Sequence, residues 1–263
     1  YKFNKNIRLI KFFIMEWSTY GISLDKKSQR CLEFEKQNSH LEIKIVKGID
    51  GSTIDKKTVI SSGLANEELI ETGLLKSGEL GRAESHRKIL QCLVSDNKPA
   101  LILEDYVITH SKIIEFINGN LSFLNSIDLL FLTTNTDSIL ETISPQGLNK
   151  ISIFYPQYPS KEWIKTALEH THLHQIVAEK FCKGFSTAAY FVTPNGAQKF
   201  LDNAFPLNTE SVYIPYISNN MLPITMDRSC NKFYAKMNVF ITVPFLAYTS
   251  NNNSTTKMVK ENR

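Results

Sequence analysis

ALILEDYVITH, residues 100–110, is the stretch on which the fold turns. The apolar run Ala100–Leu103 shows no alternation, which reads as a strand buried on both faces, as in a parallel sheet. It ends in Glu104 and Asp105 and then offers Tyr106. Three readings are open at this point: a metal site, a metal site that has lost a ligand, or a strand end with two solvated acids.

Working outward, WSTYGISLD (17–25) reads as a first strand that ends at Asp25, and residues 26–38 as an exposed helix. LEIKIV (41–46) alternates apolar and charged residues and predicts a half-buried strand; KGIDGSTID (47–55) predicts a loop. Leu80, Ala83, Leu90 and Leu93 form one stripe of a helix over 78–96. KIIEFINGNLSFL (112–124) predicts a helix loosened near Gly119, and IDLLFLTT (127–134) and STAAYFVT (186–193) predict further strands. PNGAQKFLDNA (194–204) predicts a helix with Pro194 in its first turn. This alternation predicts the α/β class, a single domain with a mostly parallel central sheet flanked by helices. Ligands of such sheets sit beyond the carboxyl ends of the strands, where Asp25, Glu104 and Asp105 fall.

The chain has 263 residues, 42% hydrophobic and 21% charged, enough for one large domain or one domain with a small appendage. A net charge of +4 is too mild to indicate nucleic acid, and the basic residues are dispersed among acids, so no nucleic-acid partner is expected. Four cysteines without CxxC spacing argue against a disulfide framework or a zinc site, and for a cytoplasmic location. No run approaches the ~18 apolar residues of a membrane span. Residues 1–16 carry Lys2, Lys5, Arg8 and Lys11 beside a short apolar patch, a poor signal peptide. That segment reads either as a basic surface anchor, peripheral on anionic lipid, or as a simple edge strand. Residues 251–263 read as a polar tail.

The stretch 78–107, GELGRAESHRKILQCLVSDNKPALILEDYV, resembles the signature of glycosyltransferase family 25, whose pattern there is roughly G-E-I-G-C-x-x-S-H followed, after a helix, by A-L-I-L-E-D-D-V. ISLDKKSQR (22–30), VKGIDG (46–51) and GFSTAAYFVTPNGAQKFLDNAFPL (184–207) are similar to three further family motifs, in the family's order. The resemblance runs over about 17–250, which it implies as the extent of a glycosyltransferase domain. The resemblance implies a GT-A-like fold that binds a UDP-sugar donor and passes a hexose, galactose first among them, to a lipooligosaccharide or related surface-glycan acceptor with inversion. The acceptor would be a saccharide or a lipid-linked oligosaccharide. It also implies a divalent cation, Mn²⁺ or Mg²⁺, because a diphosphate leaving group develops negative charge and hard cations prefer carboxylate oxygens.

On this resemblance Glu104 and Asp105 are the expected metal and donor ligands. The chain departs from it at Tyr106, where the family has a second aspartate; a phenol is neutral at pH 7 and a poor ligand for a hard cation. A shifted ligand set, metal-independent catalysis and a degenerate, non-catalytic binding homologue all stay open. Ser85 and His86 match the S-H of the signature; Ser85 is expected in the donor site, and His86 is a candidate catalytic residue, or else a satisfied half-buried histidine on the apolar stripe. Arg82 stands where the family has a small residue: a solvated helix residue, or a charge for the diphosphate. Asp25 and Arg30 are expected to meet the nucleotide, against the alternatives of a helix cap and a surface salt bridge. Glu79 is explained by the helix dipole alone. Thr187 is placed in the donor site, with Tyr190 either beside it or in the core. Asp227, at an expected strand end, is the candidate general base or an auxiliary ligand. His170, His172 and His174 have metal-like spacing but match no family motif. Acceptor specificity is expected in the loops 50–78, 135–180 and 208–235.

Overall fold

The computed structural model describes residues 16–135, 138–153 and 159–250, so the basic segment up to residue 15 and the tail 251–263 lie outside the described residues. The chain opens with β1 (Ser18–Ser23), α1 (Gln29–Gln37) and β2 (Ile43–Lys47), followed by the short helices α2 (Lys56–Ser61) and α3 (Glu67–Glu71). The long helix α4 (Ser77–Asp96) then leads into β3 (Ala100–Glu104) and β4 (Val107–Thr109). α5 (Ile113–Gly119) and α6 (Leu121–Asn125) are the expected helix with its break after Gly119, and β5 (Leu129–Phe131) follows. The segment expected as loop, 135–180, instead contributes β6 (Ile139–Ile143), β7 (Asn149–Ile153), α7 (Lys161–His170) and the start of β8 (Val177–Lys183). β9 (Ala189–Val192), α8 (Pro194–Ala204), the hairpin β10 (Val212–Ile214) and β11 (Ser218–Met221), α9 (Met226–Cys230), β12 (Val239–Val243) and β13 (Ala247–Thr249) follow.

Among the described residues the central sheet has nine strands, in the order β2-β1-β3-β9-β5-β12-β8-β6-β7. β1, β2, β3, β5, β6 and β12 point one way, and β7, β8 and β9 the other. The α/β class is as expected, but the parallel character is partial. β9 slots antiparallel between β3 and β5, and β8 antiparallel between β12 and β6. That insertion matters for function: the start of β9 arrives at the same sheet edge as the end of β3.

β3 is buried along its whole length, with Ala100 and Ile102 facing one apolar cluster and Leu101 and Leu103 the other. α4 and α8 cover the first face, through Leu80, Ala83, Leu90, Leu93, Ala197 and Phe200; Phe34 of α1 and Ile113 and Ile117 of α5 cover the second. α8 starts as expected, with Pro194 in the first turn and the Thr193 hydroxyl accepting the Gly196 N–H at 3.0 Å. Among the described residues no helix is long and apolar enough to cross a membrane.

Candidate active site

The end of β3 presents one acid to each face. Glu104 follows Ala100 and Ile102 in the alternation and turns toward α4, whereas Asp105 follows Leu101 and Leu103 toward α1. Asp105 is buried and held at both oxygens: Arg30 Nε lies 2.9 Å from Oδ1, and the Ser23 hydroxyl donates to Oδ2 at 2.6 Å. Burial pushes its pKa up, against the opposing pull of Ser23 and Arg30. Arg30 is thus no simple surface bridge; α1, capped by Ser28, aims it at a buried carboxylate. Asp25 sits exposed in the turn after β1 and accepts the Lys27 N–H at 2.9 Å, while the helix cap falls to Ser28.

Glu104 is the centre of a buried polar chain. Its Oε1 faces His86 Nε2 and the Thr187 hydroxyl, each at 3.3 Å, and its Oε2 accepts the Tyr106 hydroxyl at 2.8 Å. Burial alone would raise its pKa, but the His86 hydrogen bond, the Arg82 charge and the Tyr106 hydroxyl together hold it at about 2. An ionised carboxylate only accepts, so His86 Nε2 carries the hydrogen, and Nδ1 meets the Tyr190 hydroxyl at 2.8 Å. His86 and Tyr190 are wholly buried and Thr187 nearly so. His86 and Thr187, expected to touch substrate, are buried here with their polar atoms turned onto Glu104. Tyr190 is core, stacked on His86.

Beside this chain stands a second ionic group that the sequence reading did not assemble. Arg82 Nη2 lies 2.8 Å from Glu79 and 3.4 Å from Asp227, which is carried by α9. Asp227 is not at a strand end. Thr225 caps a short helix there, and Asp227 occupies its first turn, where Oδ1 accepts the Thr225 hydroxyl and, at 2.9 Å, the Arg228 N–H. Asn231 anchors that helix, donating to Asp227 O at 2.9 Å and to Gly184 O at 2.8 Å. Glu79 does more than balance a helix dipole, since it fixes a guanidinium, and burial raises its pKa against the pull of Arg82. No sequence signal links Arg82 to Asp227; only their meeting in space does.

Ser85 is spent on structure. Its hydroxyl donates to Gly81 O at 2.6 Å and accepts the Ile49 N–H at 2.8 Å, tying α4 to the loop after β2. A ligand role for Ser85 would require breaking that tie.

Glu104 and Asp105 do not fit the two-carboxylate cation site that the resemblance implies. A hard divalent ion takes six or more oxygen ligands, typically with several carboxylate lone pairs turned toward one point. Here the two acids face opposite sides of the sheet, and proton donors already occupy their oxygens. Among the described residues no group of three or more His, Cys, Asp or Glu side chains is placed to hold an ion. His170 is engaged with Thr166 O at 2.7 Å, and His172 and His174 stack on each other with centroids 5.6 Å apart.

Tyr106 is part of the reason. Burial and the neighbouring Glu104 carboxylate push its pKa well up, so the phenol stays neutral and donates. Tyr106→Phe is expected to cost about 2 kcal/mol, the range of a charge-assisted hydrogen bond. It should also raise the Glu104 pKa, read from the carboxyl carbon shift during an NMR titration; an unmoved titration would contradict the bond.

The family profile described as Glycosyltransferase family 25 (LPS biosynthesis protein) matches residues 17–215. The chain belongs to glycosyltransferase family 25. The matched span includes α4, Glu104, Asp105 and Thr187, while Asp227 lies beyond it. No curated protein matches the chain. A solved structure described as the crystal structure of A197 from STIV is similar over 86% of this chain and 81% of its own, at 12% identity and a TM-score of 0.33. At that score the likeness carries no argument. Membership of the family rests on the profile.

Proposed function

We propose that this family 25 member is a hexosyltransferase of GT-A type that takes a UDP-hexose, galactose first among the candidates, and glycosylates a lipooligosaccharide or related surface glycan with inversion. The observation that carries this reading is the convergence of Glu79, Arg82, Glu104 and Asp227 at the carboxyl end of β3, where ligands of an α/β sheet bind.

The reaction needs two things of the protein. As the bond between the anomeric carbon and the diphosphate oxygen breaks, its electron pair leaves with UDP, and the growing charge needs a fixed cation or dipole. As the acceptor hydroxyl oxygen bonds to the anomeric carbon from the opposite face, its proton passes to a base. Asp227 is the candidate base: Oδ1 is engaged by Thr225 and Arg228, and Oδ2 has no hydrogen-bond partner among the described residues. A lipid-linked acceptor fits a cytoplasmic enzyme held peripherally on anionic lipid.

The test is transfer and donor hydrolysis with a panel of UDP-hexoses and lipid-linked or free oligosaccharide acceptors. Asp227→Asn is expected to lower the rate of transfer by about 10²–10⁴-fold, as for loss of a general base. The saturation of both strand-end acids favours a second reading, a binding homologue without turnover. UDP binding with neither hydrolysis nor transfer on any acceptor would replace the first reading by the second.

A further inference from the structure

We propose that Arg82 supplies, as a guanidinium built into α4, the positive charge that a divalent cation would otherwise bring to the donor diphosphate, so that this chain binds its nucleotide without metal. This rests on the nucleotide-sugar reading above.

Two independent features of the structure lead there. The first is the state of the strand-end acids. Every oxygen of Glu104 and Asp105 has a donor on it, from His86, Thr187, Tyr106, Arg30 or Ser23. A cation seated on them would have to displace hydrogen-bonded protons from both faces of the sheet at once. The second is Arg82 itself. Glu79 and Asp227 both hold the guanidinium through Nη2, which leaves Nε buried with no hydrogen-bond partner among the described residues. Buried donors in native proteins are almost always paired, and an arginine donor left open at a candidate ligand site is a place for an acceptor.

The side chain as a whole is 22% exposed and so opens on the surface, whereas Nε itself is sealed from solvent and meets a phosphate oxygen only when a group covering it moves aside. Arginine suits the task because it stays charged when buried and presents its N–H groups in a fork that matches phosphate oxygens. Its permanence is reinforced here: burial opposes the charge, but Asp227, Glu79 and Glu104 outweigh it and drive the pKa well up. The three acids also limit the site. Their charge offsets part of the guanidinium's, so the donor is held by one directed cation rather than by a doubly charged ion. The two departures from the family pattern thus both bear on Glu104, Tyr106 through a hydrogen bond and Arg82 through its nearby charge. Tyr106 closes Glu104 to a metal, and Arg82 brings a charge of its own to the same corner.

The experiment is calorimetric titration of the full chain with UDP, in EDTA and in excess Mn²⁺, beside a titration with Mn²⁺ alone. The wild type is expected to bind UDP equally in both conditions and to show no heat with Mn²⁺ alone. Arg82→Gln is expected to weaken UDP binding by about tenfold or more, the equivalent of a charge-assisted hydrogen bond, with Arg82→Lys in between. Circular dichroism and melting curves establish that the variants are folded. A merely structural role for Arg82 would lower the melting temperature and leave the affinity of the folded fraction unchanged, which would overturn the proposal. UDP binding by the wild type that strengthens tenfold or more with Mn²⁺ would also overturn it, while leaving the nucleotide-sugar reading in place. Absence of UDP binding in both conditions would overturn both. Should Arg82→Gln fail to fold, the metal response of the wild type and the affinity of Arg82→Lys still decide.

Discussion

Gly81→Ala is expected to destabilise the protein by about 3 kcal/mol, whereas Gly78→Ala, three residues earlier in the same helix, is expected to stabilise it by up to about 1 kcal/mol. On helix propensity alone the two substitutions are equivalent and both favourable. The difference lies in what a methyl group meets. A Cβ on Gly81 would stand 2.3 Å from Ile49 O and 2.7 Å from Gly51 N, both backbone atoms that cannot swing away. A Cβ on Gly78 meets nothing within 4 Å. The loop after β2 is docked on α4 backbone to backbone, with Ser85 bonded to the Ile49 N–H as the clamp. Forcing them apart would also shift Arg82, the next residue, off Glu79 and Asp227. Urea unfolding midpoints of the two variants check the prediction; destabilisation of similar size in both would contradict the close approach.

Glu104→Gln is expected to remove about 3 kcal/mol of stability at neutral pH, and the loss should vanish in acid. The sign follows from the direction of the shift. Folding lowers the Glu104 pKa from the ordinary 4.5 to about 2, so the folded state favours the ionised form. The resulting stabilisation is fully present above pH 4.5 and disappears as pH falls through about 2. At pH 7 the amide loses the charge opposite Arg82 and can turn an N–H toward donors that had a carboxylate. Glu79 and Asp105 are shifted the other way by burial, so the acid response of the whole protein mixes opposing contributions. The wild-type minus Glu104→Gln difference isolates the Glu104 part. Unfolding free energies of both proteins between pH 2 and 7 provide the measurement, and parallel curves would rule the assignment out.

The α/β class, the helix Ser77–Asp96 and the break after Gly119 were legible because each depends on short-range patterning. Stripes at helical spacing, an unbroken apolar strand and a proline in a first turn act within a few residues of themselves. Glu104 was legible for the same reason, as an acid at the end of a buried run. The direction of β9 was not, because nothing within Ala189–Val192 records which neighbours it will lie between. β6 to β8 escaped notice since their apolar residues are interleaved with charges that find partners only in the fold, as Glu179 does with Thr142 and Lys150.

The site divides along the same line. The sequence by itself determined the kinds of residue available at the end of β3: two acids, a phenol where an acid is usual, a histidine on an apolar stripe and an arginine one turn before it. Only the tertiary structure decided what they do, because a buried polar atom must find its partner wherever the chain brings one. It sent Asp105 to Arg30 and Ser23 on one face, and Glu104 to His86, Thr187 and Tyr106 on the other. It carried Asp227 from a distant short helix to Arg82 and left the buried Arg82 Nε without a hydrogen-bond partner among the described residues.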